Sequence, residues 1–194
     1  PLVQRLVEEA IERAPLPDTS IWEFRSLLRN YTFSRGLCWA AVDRGADIAR
    51  RFKKTELAER WEMIAERERE EILRRGYNEK LGIFTQALDG QYPDASNLLF
   101  PSIGLVDPKD PRFLSTLDVY GRELTDRGLM MRYRNEDDFG KPTSSFTICS
   151  FWWAEALALA GRLEEAIEVF ERVCSFANPV GLFSEDIEAD SGQL

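Results

Sequence analysis

The chain has 194 residues, 44% of them hydrophobic and 30% charged, which supplies one sizeable core and excludes a disordered or collagen-like chain. Its 34 acidic and 25 basic residues give a formal charge of −9 with no basic stripe, so nucleic acid is not an expected partner. Histidine is absent, which removes Ser-His-Asp and Cys-His catalysis and leaves carboxylates, Lys, Arg, Tyr, Ser and Thr to do any chemistry.

Seven segments read as helices, alternating between two kinds of apolar pattern. Residues 2–14 carry a single stripe (Leu2, Val3, Leu6, Val7, Ala10, Ile11, Ala14) opposite charged side chains, as a helix with one wet face does. Residues 36–42 (GLCWAAV) are apolar nearly all round, which a helix tolerates only when surrounded. Residues 55–75 return to one stripe through Leu57, Trp61, Ile64, Ala65 and Ile72, and 95–101 (ASNLLFP) to the enclosed kind. The stretch 110–124 is striped, 147–160 (TICSFWWAEALALA) enclosed, and 162–176 striped again. An outer, inner, outer order of antiparallel neighbours predicts an all-α fold with little strand, as an α/α barrel or toroid gives, a pattern that a helical solenoid shares in part.

Inner-to-outer connections are short, with Pro111 at a plausible first helical position and Gly161 at a corner. Outer-to-inner connections (15–33, 77–94, 125–146 and 177–194) run to roughly 18 residues or more, far above the usual loop length of about 4 to 6. Because helix directions alternate, all four long loops are expected at one end, which is thereby elaborated into a binding surface. No linker divides the chain, so one domain is drawn. No apolar run nears the roughly 18 to 20 residues that cross a bilayer, and residues 1–14 are charged throughout, so neither a span nor a signal peptide is read. The three scattered cysteines, Cys38, Cys149 and Cys174, fit a reducing compartment and a cytoplasmic setting.

In the first long loop Glu23 sits between Trp22 and Phe24, a setting for a desolvated carboxyl whose raised pKa suits a general acid. The alternative is an ion pair with Arg25 or Arg29 at the rim. In the last loop Glu185 follows the apolar run 180–183 and heads an acidic group with Asp186, Glu188 and Asp190; such a carboxylate either serves the site or faces water. Two glutamates from different loops of one barrel end are the parts that glycoside hydrolysis needs, one protonated to expel the leaving oxygen and one ionised to activate water. Trp22, Tyr31, Phe33, Tyr92 and Tyr133 lie in or beside these loops, where rings can stack on sugar faces, although most are expected to be partly core. Arg132 and Arg134 offer fixed hydrogen-bond donors, with Arg134 expected to be spent on Glu136, Asp137 or Asp138. The NEDD run does not have EF-hand spacing, and neither a metal nor a cofactor is expected.

These residues carry a resemblance. PDTSIWEFR, YTFSRGLCWAAVDRG, DASNLLFPSIGLVDPKDPR, LMMRYR, CSFWWAEALALAGRLEEA and GLFSED occur in this order, and the chain resembles the glucoamylase and trehalase group, glycoside hydrolase family 15, over essentially its whole length. The resemblance implies part of a twelve-helix (α/α)₆ barrel, truncated at both ends, whose remaining helices would be supplied by the rest of the same barrel. It implies an enzyme that releases glucose from α-glucosidic ends with inversion, acting on malto-oligosaccharide, glucan ends or α,α-trehalose. Glu23 then matches the general acid, Glu185 the general base, and Arg132 an arginine that holds the terminal sugar; Trp22, Arg25 and Tyr133 complete the expected substrate wall. Two other readings are open: a non-catalytic helical-repeat scaffold, suggested by the single tetratricopeptide-like stretch ALALAGRLEEAIEVFERV, and a family member that binds sugar without cleaving it.

Overall fold

In the computed structural model, which describes residues 1–188, six α-helices follow the expected alternation: α1 (Leu2–Arg13), α2 (Thr32–Arg51), α3 (Thr55–Arg75), α4 (Pro111–Glu123), α5 (Thr147–Leu159) and α6 (Leu163–Cys174). The segment expected as the second inner helix is instead a short 3₁₀ helix, Ala95–Leu99, entered through the cap Asp94. Its shortness has a local cause: Phe100 is still helical (φ −56°, ψ −41°), but Pro101 has no amide N–H to carry the hydrogen-bond ladder further. Helix α2 is longer than its all-round apolar part, because Val42, Ala46 and Ala49 continue a buried stripe toward its end.

Packing proceeds by neighbouring helices. Gly45 of α2 meets Val7 of α1, and Trp39, Val42, Ala46 and Ala49 of α2 share one core with Ala58, Trp61, Ala65 and Ile72 of α3. Gly121 of α4 lies against the indole of Trp153 on α5, where an added Cβ would be 3.2 Å from the ring. Helix α4 starts at Asp110, whose carboxylate accepts from the Arg112 amide at 2.9 Å, with Pro111 in its first turn. The stripes of the two outermost helices are only partly covered. Val7 alone is buried on α1, and Ala166 and Val173 on α6, while Leu2, Leu6, Leu163, Ile167 and Phe170 stay exposed.

The long connections carry the only strands among the described residues, each of two residues. They are β1 (Tyr77–Asn78) with β2 (Ile83–Phe84), β3 (Thr125–Asp126) with β4 (Leu129–Met130), and β5 (Ser145–Phe146) with β6 (Asp186–Ile187), all antiparallel. They join loop to loop. A bridge between Tyr31 and Ala87 links the first long loop to the second, the Ala95 amide donates to the Arg132 carbonyl at 2.9 Å to link the second to the third, and β5–β6 links the third to the last. All four therefore gather at one end, as the alternation predicts.

Candidate active site

The loop that carries Glu23 turns sharply, with both Ser20 (φ 66°) and Glu23 (φ 54°) in the left-handed region. The Glu23 amide donates to the Ser20 carbonyl at 3.1 Å and the Phe24 amide to the Thr19 carbonyl at 2.8 Å. The turn sends Trp22 and Phe24 inward and Glu23 outward: Phe24 is buried, Trp22 half-buried and Glu23 exposed. The desolvation expected from the aromatic neighbours is thus not provided by them, because alternate side chains leave this turn in opposite directions. The alternative pairing is absent too; among the described residues Glu23 forms no ion pair with Arg25 or Arg29.

Phe24 stacks on Tyr31 at 5.4 Å and meets Tyr133 at 5.4 Å, so the turn is seated on a small aromatic core of its own. Trp22 packs edge-on to Tyr133 (6.0 Å) and Phe146 (5.8 Å) and leans on Trp152 (6.1 Å). Its indole N–H donates to the Asp94 carboxylate at 2.9 Å. Arg132 stands over this group, its guanidinium 4.9 Å from the Phe146 ring centre, 5.7 Å from Tyr133 and 6.0 Å from Trp22. A guanidinium laid on rings keeps its in-plane donors free for a ligand, and no side chain among the described residues takes them.

Trp22, Glu23, Arg132 and Tyr133 line one hollow of about 220 Å³ together with Phe24 and residues 137–142. That segment is pinned by Asp138, which accepts from the Arg25 amide at 2.6 Å and from the Ser26 amide at 3.1 Å. The Ser26 hydrogen bonds hold the Asp138 carboxyl below its ordinary range. Arg25 sits at the rim with its guanidinium 4.8 Å above Phe139, outside the hollow's lining. Tyr133 is a wall and not a free donor, since it is buried and its hydroxyl donates to Asp137 at 2.7 Å; burial raises its pKa well above the phenol value. Arg134 reaches the Thr125 carbonyl at 3.1 Å and not the neighbouring carboxylates expected for it. Of the other loop aromatics, Tyr31 and Phe33 are core and Tyr92 is exposed.

Glu185 lines a second hollow, of about 420 Å³, with Phe146, Thr147, Ile148, Phe151, Phe183 and Ser184. Its carbonyl accepts from the Thr147 amide at 2.9 Å, so the first turn of α5 holds the loop in place. The two glutamates thus face separate hollows that share one partition: Phe146, part of the second lining, is the ring on which Trp22 and Arg132 of the first are packed. Glu188 falls among the described residues and Asp190 outside them. Among the described residues no group of three or more His, Cys, Asp or Glu is arranged to hold a metal ion, and no helix is long and apolar enough to cross a membrane.

Two residues central to this geometry, Asp94 and Phe146, carry no sequence signal of their role. Asp94 opens the DASNLLFP stretch and caps the 3₁₀ helix, and Phe146 directly precedes α5, but nothing local in the sequence ties either to Trp22.

The family model for glycosyl hydrolases family 15 matches residues 1–193. The chain belongs to that family. Among its relatives, the trehalase of Mycobacterium tuberculosis is 39% identical over 196 residues, covering 100% of this chain and 29% of its own length. The trehalase of Thermoplasma volcanium is 36% identical over 179 residues, covering 92% of this chain and 29% of its own. The chain thus spans under a third of the length of the relatives it matches. Among solved structures, a bacterial glucoamylase complexed with acarbose superposes with a TM-score of 0.80 at 18% identity, covering 98% of this chain and 34% of that one. A glycosidase variant in complex with glucose gives 0.80 at 16% identity, over 94% and 48%. The architecture is therefore that of an (α/α)₆-barrel segment, and the helical-repeat scaffold is set aside: the tetratricopeptide-like stretch is the α5–α6 hairpin of a family-15 fold.

Proposed function

We propose that the protein is an inverting glycoside hydrolase that cleaves an α-glucosidic bond, with α,α-trehalose the first substrate to test and malto-oligosaccharide or glucan ends the next. The observation that carries the reading is the hollow beside Glu23, where an exposed carboxyl adjoins an indole wall and a guanidinium with free donors. Family membership and the trehalase relatives support the substrate class. Glu23 protonates the glycosidic oxygen as the bond breaks. Glu185 takes a proton from a water that attacks the anomeric carbon from the opposite face, which requires the two carboxyls to stand roughly 6.5 to 9.5 Å apart in the working site. Phe146 is then the divider that must give the sugar room to span both hollows. Trp22 and Tyr133 supply flat surface to the ring, Arg132 donates to its hydroxyls, and Arg25 acts from the rim.

The reading includes the rest of the barrel. Helices beyond this segment would cover the exposed stripes of α1 and α6 and close the substrate pocket. The free cysteines Cys38, Cys149 and Cys174 support a reducing, cytoplasmic setting.

The test is glucose release from trehalose, maltose and isomaltose by the full-length protein, with the anomer followed by NMR. Inversion of trehalose yields one α- and one β-glucose per turnover. Glu23→Gln and Glu185→Gln are each expected to lower kcat by about 10²–10⁴-fold. Sugar binding without turnover in the parent protein would instead identify a family member that binds and does not cleave.

A further inference from the structure

One buried carboxylate joins the parts of the site. Asp94 is 1% exposed, and four donor groups converge on it: the indole N–H of Trp22 (2.9 Å), Nε2 of Gln86 (2.9 Å), and the amide (2.9 Å) and hydroxyl (2.6 Å) of Ser96. Capping the 3₁₀ helix needs only the Ser96 bonds; the bond to Trp22 crosses 72 positions of sequence to the loop that carries Glu23. The neighbouring Ala95 amide holds the Arg132 carbonyl at 2.9 Å. The Asp94 amide is in turn fixed by the Tyr120 hydroxyl, which donates to the Phe84 carbonyl at 2.6 Å. A buried carboxylate is stable only while its donors are in place, so a network of this kind has one satisfied geometry and resists displacement of any member.

We propose that Asp94 is a positioning residue for the glycosidase reaction: through the Trp22 indole N–H it fixes the sugar-facing wall and the strained turn that aims Glu23, while the same corner of chain fixes Arg132. The inference rests on the hydrolase reading above. Glu23, with φ at 54°, lies in a conformation that non-glycine residues keep only where surrounding structure over-determines it, and the Asp94–Trp22 bond is a buried long-range tether on that turn, beside the Asp138 bonds to the Arg25 and Ser26 amides.

The experiment uses the full-length protein with Asp94→Asn, Trp22→Phe and the double variant. Asp94→Asn keeps the size but turns an amide N–H₂ toward donors; Trp22→Phe keeps one aromatic ring and removes the N–H together with the five-membered ring that carries it. Each single variant is expected to lower kcat on trehalose at least tenfold with KM changed less than threefold, and the double variant to be no worse than the poorer single one. A purely architectural Asp94 gives a cooperative melt at lower temperature with kcat unchanged, and independent roles give additive losses; either result overturns the proposal. If Asp94→Asn does not fold, Trp22→Phe decides alone, kcat within twofold of the parent being the overturning result. Tryptophan emission of Asp94→Asn, with Trp22→Phe subtracted to isolate the indole, is read in parallel. An emission shift in a protein whose parent cleaves no sugar places the failure with the hydrolase reading, whereas turnover by the parent with neither an emission shift nor a loss of kcat places it with Asp94.

Discussion

Glu23 holds its carboxyl outward by keeping its own backbone in the left-handed region, where a side chain with a Cβ costs about 1 kcal/mol or more. Asparagine tolerates that region far better. Glu23→Asn is therefore expected to melt at the same or a higher temperature, by up to about 1 kcal/mol, while losing about 10²–10⁴-fold in turnover. A clear loss of stability would show that the turn does not carry strain. At Arg132 the argument is planar geometry. Lysine keeps the charge but brings neither a planar guanidinium over Phe146 nor a fork of donors, so Arg132→Lys is expected to cut kcat/KM at least about tenfold with a change in melting free energy under about 1 kcal/mol. Kinetics within twofold of the parent would remove Arg132 from the site.

At the scale of elements, the Asp110 cap of α4 gives a prediction with a pH signature. Its hydrogen bonds to Arg112 hold the Asp110 carboxyl below the ordinary range. A folded-state pKa lower than the unfolded one means that the stabilisation is full above the unfolded value and fades as pH falls through the folded one. Asp110→Ala should thus cost about 1 kcal/mol at pH 7, and the gap to the parent should shrink as the melt is taken below the ordinary carboxylate range. The helices were legible because burial repeats every three to four residues along them, as at Val42, Ala46 and Ala49. The three ladders were not, because two-residue strands have no period to read. For the same reason the site was only half legible. Glu23, Glu185, Trp22 and Arg132 stand out by residue type and by family motif, yet which of Trp22, Glu23 and Phe24 faces inward depends on a positive φ at Ser20 and Glu23. The bond from Trp22 to Asp94 belongs to no local pattern at all.

For the whole molecule, the decisive surface is the outer stripe of α6. Leu163, Ile167 and Phe170 fall at i, i+4 and i+7, one apolar face of a helix, yet they remain 60%, 47% and 51% exposed while Ala166 and Val173 face the core. Burying one such side chain is worth about 1.5–3 kcal/mol, so a folded chain gains by covering this face. The proposed remainder of the barrel does so within one molecule; the segment 1–194 alone is expected to cover it by self-association, visible as a concentration-dependent mass in light scattering. Ile167→Glu separates a covered face from a wet one. In the full-length protein it should cost about 2 kcal/mol or more if a further helix packs there, since the carboxylate would be buried without a partner, and within about 0.5 kcal/mol if the face meets water. The same substitution should make the isolated segment less prone to associate. Opposite signs in the two contexts are what a covered barrel seam requires, because one change removes a native contact in the longer chain and an adventitious one in the shorter.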